Sequence, residues 1–534
     1  MMFRPALSAL LLAFVLAALS APRARASPDG PPQGIEPTSL KLQTVLDAND
    51  DAVGTREHRS ITHVETGRIQ AYGLAGTFRD EYVSLHAAAD YHTSITLGPL
   101  SWQEGQYKGQ RWRQNENGIT TNLHPSSSEA ADVELLAADT ENPKNDVTLL
   151  GEVTSPVPAY VVQVKPERAA PFWLFYDKQT SLLDRVEIGY SDERHVVTLD
   201  DYRVANGMKE AWHTHESTIG NPANDWDEWI ESDRYGSPID DSDLKIPPSN
   251  QNLIAFPSGV SAVSLQNQFI DGDAIVRVSI NGRGLDMVLA SGYPGILLDS
   301  QVAKELALPN YGPRPQGSDV AETALIEELA FGDIKMNHVF VDCRPFSYHQ
   351  DGDVKVVGII GFDFFASAVV DIDYEHEKVG ATRADTFTPP ATTFASNITL
   401  DDGFPVISAQ IGQDDGRFQL DTASSVNILN PSFWQAHADL IPPGIEPGAD
   451  WLYKGTHIRR PFLEISVKQA VIAGLVLGDV IALIAAPSSP PLGGPDGVIG
   501  RPFLGLFHVY FDYAHQRAYF VPSTMLNKQL QPGG

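Results

Sequence analysis

A single cysteine, Cys343, stands among 534 residues, so no intrachain disulfide can form even in an oxidising compartment, and the thiol is expected to be a small core residue. Cationic residues are scarce as well. The 38 Lys and Arg face 68 Asp and Glu, a formal charge of −30, which argues against nucleic acid as a partner and against docking on anionic lipid. Beyond the N-terminus no run of eighteen apolar residues occurs, so no transmembrane segment is expected. There is no phosphate-binding glycine loop, and Ser291 and Ser424-Ser425 do not sit in a Gly-x-Ser-x-Gly elbow. His213-Thr214-His215 puts two imidazoles on one strand face, but no third ligand lies nearby in sequence. Asp240-Asp241-Ser242-Asp243 lacks the spacing and glycine of a calcium loop and reads as a solvated turn. No metal and no cofactor are therefore expected.

The length and the 42% apolar content allow two or more domains. Arg4, the apolar run from Ala6 to Ala21 and Ala24-Arg25-Ala26 read as a signal peptide over 1–26, which predicts a soluble periplasmic or secreted product. No cysteine adjoins the cleavage site, so a lipid anchor is not expected. A Pro- and Gly-rich lead-in over 27–37 precedes an amphipathic helix from Thr38 to Val53, with Thr38 as cap and Leu42, Val45 and Leu46 on one side. Short alternating runs then continue to about Asp233 and predict antiparallel sheet for a domain over 38–235. Asp177 to Val186 reads as a hairpin, and Val197 to Gly207 as the start of another. Prolines and Asp240-Asp241 mark 236–259 as a linker.

The second half of the chain is an internal repeat. Phe418-Gln419-Leu420-Asp421-Thr422-Ala423-Ser424-Ser425 is an apolar strand ending in a carboxylate and a hydroxyl. It is followed by Gly497-Val498-Ile499-Gly500 and, twelve residues after Gly500, by Asp512-Tyr513. The same pattern occurs earlier as Leu289-Ala290-Ser291-Gly292, Gly358-Ile359-Ile360-Gly361 and Asp373-Tyr374. The offsets are 500 − 361 = 139, 512 − 373 = 139 and 421 − 290 = 131. One unit has been copied with about eight extra residues inside the second copy. In the first copy, the carboxylate position holds Ala290.

Each copy resembles one lobe of the retropepsin-like and pepsin-like aspartic peptidases, whose pattern is two apolar residues, Asp-Thr/Ser-Gly-Ala/Ser, and a later apolar-apolar-Gly. The resemblance implies tandem β lobes over 260–387 and 394–522, which with the N-terminal strand runs, read as a curved antiparallel sheet with one helix, makes the expected fold mostly β. It implies that Asp421 is catalytic, that Ala290 is the substituted dyad position, and that Ser291 and Thr422 cross-bond the two loops. Gly292, Ala423, Gly361 and Gly500 would support them, and the partner would be a peptide or protein.

Aspartic peptidases need two carboxylates sharing a proton, one to activate water and one to polarise the scissile carbonyl, and this chain offers one. Asp286 and Asp299 are nearest to Ala290 in sequence, but four residues of extended strand span about 13 Å, so Asp286 is no obvious stand-in. Ala423 stands where the motif has glycine, and its methyl would crowd the loop if the backbone needs a glycine conformation. Three readings stay open: a peptide-binding protein with reduced or lost proteolysis, a peptidase that pairs Asp421 with that of a second molecule or recruits another acid, and an envelope scaffold. The N-terminal runs, with Gly105 to Trp112, also resemble the half-barrel of periplasmic lipoprotein carriers. That likeness implies either an acyl ligand on the concave face or a spacer that binds nothing.

Overall fold

The computed structural model describes residues 31–54, 62–83, 90–123, 140, 145–165, 171–190, 193–218, 221–250, 252–316, 319–348, 354–391, 394–430, 433–434, 451–452, 459–460, 462–485 and 495–530. The expected signal peptide lies outside them. The fold is mostly β, and no helix among the described residues is long and apolar enough to cross a membrane.

Among the described residues, thirteen strands between Thr62 and Tyr235 form one antiparallel sheet. The first strand, Thr62–Ala71, pairs with the last, Asn221–Tyr235; the chain steps outward from the first to one edge, resumes at the other edge and steps back inward to the last. The edges are Thr120–Asn122 and Asp146–Val153. Strand Phe172–Asp177 is apolar on both faces, and both are covered. Phe172, Leu174 and Tyr176 pack with Val45 and Leu46 of the helix, and Trp173 and Phe175 pack with Val161 and Ile35.

That helix runs Leu42–Val53, four residues shorter at its start than the sequence suggests. Lys41 occupies the cap position without a side-chain bond, while the Thr38 hydroxyl accepts from Leu40 N at 3.4 Å outside the helix. Packing rather than capping holds it. The turn of the expected hairpin covers 178–182, between Phe172–Asp177 and Leu183–Tyr190. The lead-in is docked, because Glu36 and Glu152 exchange backbone bonds at 2.8 Å. Gly151 is needed there, since a Cβ would stand 2.2 Å from the Glu36 carbonyl oxygen. The 236–259 stretch is partly ordered too: Asp241–Leu244 is a single helical turn, and Ile254–Ala255 pairs with Ile334–Arg344.

The two repeat copies build equivalent sheets. Arg283–Leu289 lies parallel to Val356–Ile360, with Leu289 opposite Ile360, and Asp414–Leu420 lies parallel to Gly497–Ile499, with Leu420 opposite Ile499. These pairs differ by 420 − 289 = 131 and 499 − 360 = 139, the offsets of the sequence repeat. A six-stranded sheet joins the copies, with Val369–Asp373 of the first antiparallel to Phe507–Asp512 of the second. One apolar core runs through both. The repeated Asp-Tyr explains itself locally: Asp373 accepts from His376 N and Asp512 from His515 N, so each carboxylate closes a turn. Cys343 is buried in the first copy, and burial pushes its thiol up to about 12.

The N-terminal sheet is keyed into this core. Ile119 belongs to it, and the turn before Ile119 presents two asparagines to the buried Asp363. Asn115 Oδ1 accepts from Asn117 N and Ile119 N, which turns its amide Nδ2 onto Asp363 Oδ1 at 2.7 Å. Asn117 Oδ1 accepts from Phe340 N, and its Nδ2 donates to Asp363 Oδ2 at 2.9 Å.

Candidate functional site

Two tight loops, 290–293 and 421–424, meet between the copies. Each is held from below by its own parallel strand: Ala290 N donates to Ile360 O at 2.9 Å, and Asp421 N to Ile499 O at 3.1 Å. The motif glycines press on the loops. A Cβ at Gly361 would stand 2.4 Å from Tyr293 O, and one at Gly500 2.3 Å from Val426 O and 2.6 Å from Ser424 O. Only glycine permits that approach.

The loops are stitched together by a reciprocal set of buried bonds. Ser291 N donates to Thr422 Oγ1 at 3.0 Å and Thr422 N to Ser291 Oγ at 3.1 Å. Each hydroxyl passes its own hydrogen to the strand behind its partner, Ser291 Oγ to Leu420 O at 2.8 Å and Thr422 Oγ1 to Leu289 O at 2.9 Å. Each of these two hydroxyls thus accepts one bond and donates one, and both loop N–H groups are paired.

Asp421 follows strand Asp414–Leu420 in the second loop, at the position that the buried Ala290 holds in the first. Its Oδ1 accepts from Ala423 N at 2.9 Å. Burial raises its pKa above the ordinary carboxylate value, while the N–H of Ala423, the Arg501 guanidinium and the N–H groups of Ser424 and Gly292 favour the charged form. The charge acting on Asp421 here is a cation. Asp286 is engaged by Arg277 at 2.7 Å, and Asp299 caps the helix Ser300–Glu305 and accepts from Phe346 N, so neither stands in for the missing carboxylate. Ala423 does not need a glycine backbone: its φ is not positive, and its methyl packs beside Ile275, Val288 and Val356 of the first copy.

Arg501 escapes a reading of the motif alone, although the repeat signals it: the residue after the motif glycine is Phe362 in the first copy and Arg501 in the second. Each of these reaches the hairpin turn of the other copy. Phe362 lies against Gly403, and Arg501 against Gly272. Arg501 bonds the Asp271 carbonyl and lies 3.3 Å from the carboxylate of the fully buried Asp273, which also accepts from the Tyr348 hydroxyl. Burial lowers the pKa of Arg501, opposed by Tyr374, Tyr348 and Asp421.

His213 and His215 gain partners that sequence proximity hid. His213 contacts Asp200 at 2.9 Å and Asp227 at 3.0 Å, and His215 contacts Asp227 at 2.9 Å. The sheet of the first domain carries a core cluster that includes Ile69, Phe78, Ile95 and Trp226, and the carboxylates of Glu65, Glu104, Glu210 and Glu228 are buried in the same sheet.

No protein-family model and no curated protein matches the sequence. Similar solved structures include an aspartic proteinase from Irpex lacteus, 11% identical over 49% of this chain and 98% of that one, with a TM-score of 0.34. They also include a retropepsin-like aspartic protease from Rickettsia conorii, 15% identical over 24% of this chain and 89% of that one, with a TM-score of 0.20.

Proposed function

We propose that residues from about 260 to 522 form a peptide-binding cleft of the aspartic-peptidase kind that retains one catalytic carboxylate, Asp421, and hydrolyses peptides poorly or not at all. The observation that carries this reading is the reciprocal bonding of Ser291 and Thr422, which joins the loop that holds Asp421 to the loop that holds Ala290. A lone carboxylate can accept a proton from water, but the group that would polarise the carbonyl and protonate the leaving amine is missing. Losing one half of an acid–base pair forfeits about 10²- to 10⁴-fold in rate.

Pairing of Asp421 with that of a second molecule is the competing enzymatic reading. It would require a second copy's loop to displace Ser291 from Thr422 and break four buried hydrogen bonds. The leader, if cleaved near Ala26, places the protein in the periplasm or outside the cell. An acyl or peptide ligand on the N-terminal sheet is the non-catalytic alternative.

A fluorogenic peptide library tests the proposal on wild type, Ala290→Asp/Ala423→Gly and Asp421→Asn. Wild type should bind peptide and cleave little, and the double variant should gain cleavage. Cleavage by wild type that grows with the square of protein concentration would instead favour the paired enzyme. Robust cleavage that survives Asp421→Asn would remove Asp421 from the mechanism.

A further inference from the structure

The middle of the N-terminal sheet carries a group of ligand-type side chains apart from the cleft. Strands Thr62–Ala71 and Asn221–Tyr235 are antiparallel, with Glu65 opposite Asp233 and His63 opposite Tyr235. Because side chains two apart share a face, His63, Glu65 and Asp233 project together. One nitrogen or oxygen from each lies within 4.8 Å of the others. The His63 ring is fixed by stacking on Tyr235 at 4.4 Å, and its Nε2 contacts Asp233 Oδ1.

Two observations set this group apart from an ordinary acidic surface. The Asp233 side chain is 0% exposed and Glu65 is 8% exposed. Asp233 Oδ2 is buried with no hydrogen-bond partner, as is Oδ1 of Asp80 nearby. A buried carboxylate oxygen without a donor is costly unless a cation supplies the missing interaction. The surroundings sharpen the requirement, because Glu65 lies opposite Asp233 on one neighbouring strand and opposite Asp80 on the other.

We propose that His63, Glu65 and Asp233 bind one divalent first-row transition-metal ion. One imidazole and two carboxylates form a mixed nitrogen and oxygen set that suits Zn²⁺ or Mn²⁺ better than the all-oxygen ions Ca²⁺ and Mg²⁺. Ligand atoms about 2.1 Å from one ion lie about 3 to 4 Å apart, so small side-chain rotations bring all three atoms onto one ion, with water filling the remaining positions. His63 keeps 21% of its side chain exposed, which provides an entry path. The ion would tie the first strand of the sheet to the last, across 170 residues of chain.

The test uses the full-length mature protein, stripped with a chelator and titrated calorimetrically with Zn²⁺ and Mn²⁺, with Ca²⁺ and Mg²⁺ for comparison. Wild type should take up one equivalent of Zn²⁺ or Mn²⁺ and melt at a higher temperature when loaded. Glu65→Gln/Asp233→Asn should weaken uptake at least tenfold with an unchanged circular dichroism spectrum. If that variant does not fold, His63→Gln serves in its place. His213→Ala/His215→Ala should leave uptake intact. The proposal is overturned if stripped wild type binds neither ion, if the Glu65 and Asp233 substitutions leave affinity unchanged, or if only the His213 and His215 substitutions abolish it.

Discussion

The carboxylate of Asp421 fills the space in which a side chain on Gly292 would have to stand: a Cβ there would lie 2.3 Å from Asp421 Cγ and 2.5 and 2.7 Å from its oxygens. The repeat maps Gly292 onto Ala423 and Asp421 onto Ala290. A carboxylate in one loop and a methyl in the other therefore compete for one space. Gly292 leaves the room that Asp421 fills, and the repeat predicts the same competition between the Ala423 methyl and a carboxylate at position 290.

Gly292→Ala should accordingly destabilise the protein by about 1–3 kcal/mol, the usual cost of overpacking, measured by urea denaturation. Ala290→Asp alone should cost a similar amount against the Ala423 methyl, and adding Ala423→Gly should recover most of it. Strictly additive effects of Ala290→Asp and Ala423→Gly would show that the two positions do not share space.

Arg501 links the copies beneath the site, and its removal should be felt mainly through Asp273. That carboxylate has 0% side-chain exposure, and stripping the cation from a buried pair costs about 3–5 kcal/mol. Arg501→Met should show a loss of this size in denaturant unfolding, and Arg501→Met/Asp273→Asn should lose less. The same substitution should raise the pKa of Asp421 further, since Arg501 pulls it down. An Arg501→Met protein as stable as wild type would mean that solvent or Tyr348 satisfies Asp273 unaided.

Asp363, where the N-terminal sheet is keyed into the first copy, should make stability depend on pH. Burial raises its pKa to about 7, against the bonds from Asn115 and Asn117, whereas an unfolded Asp titrates near 3.9. The folded state therefore holds a proton between these values that the unfolded state has released. The contribution is complete below about pH 4 and is lost as pH rises through about 7. Its upper size is about 4 kcal/mol, three units at 1.36 kcal/mol each. Measured from pH 5 to 8, the advantage of wild type over Asp363→Asn should shrink as pH rises. A constant difference would show that Asp363 does not titrate in this range.

The repeat and its punctuation were legible in the sequence by itself. Gly361 and Gly500 and the hydroxyls of Ser291 and Thr422 are demanded by local geometry at fixed spacing, so they recur in register, whereas Asp421 has Ala290 as its counterpart. The strand rhythm of the first domain and the apolar stripe of its helix were legible for the same reason, since periods of 2 and 3.6 are written in consecutive residues. Only the tertiary structure decided which side chains meet. Strand pairing is non-local, and it brings Asp227 to His213, Asp233 to His63 and Asp371 to His508 from positions 14, 170 and 137 residues away. The burial that raises Asp363 and Glu65, and the reach of Arg501 from one copy into the other, depend likewise on how the sheets stack. Hydrophobic patterning specifies that sheets pack together, but not which polar groups are trapped where they meet.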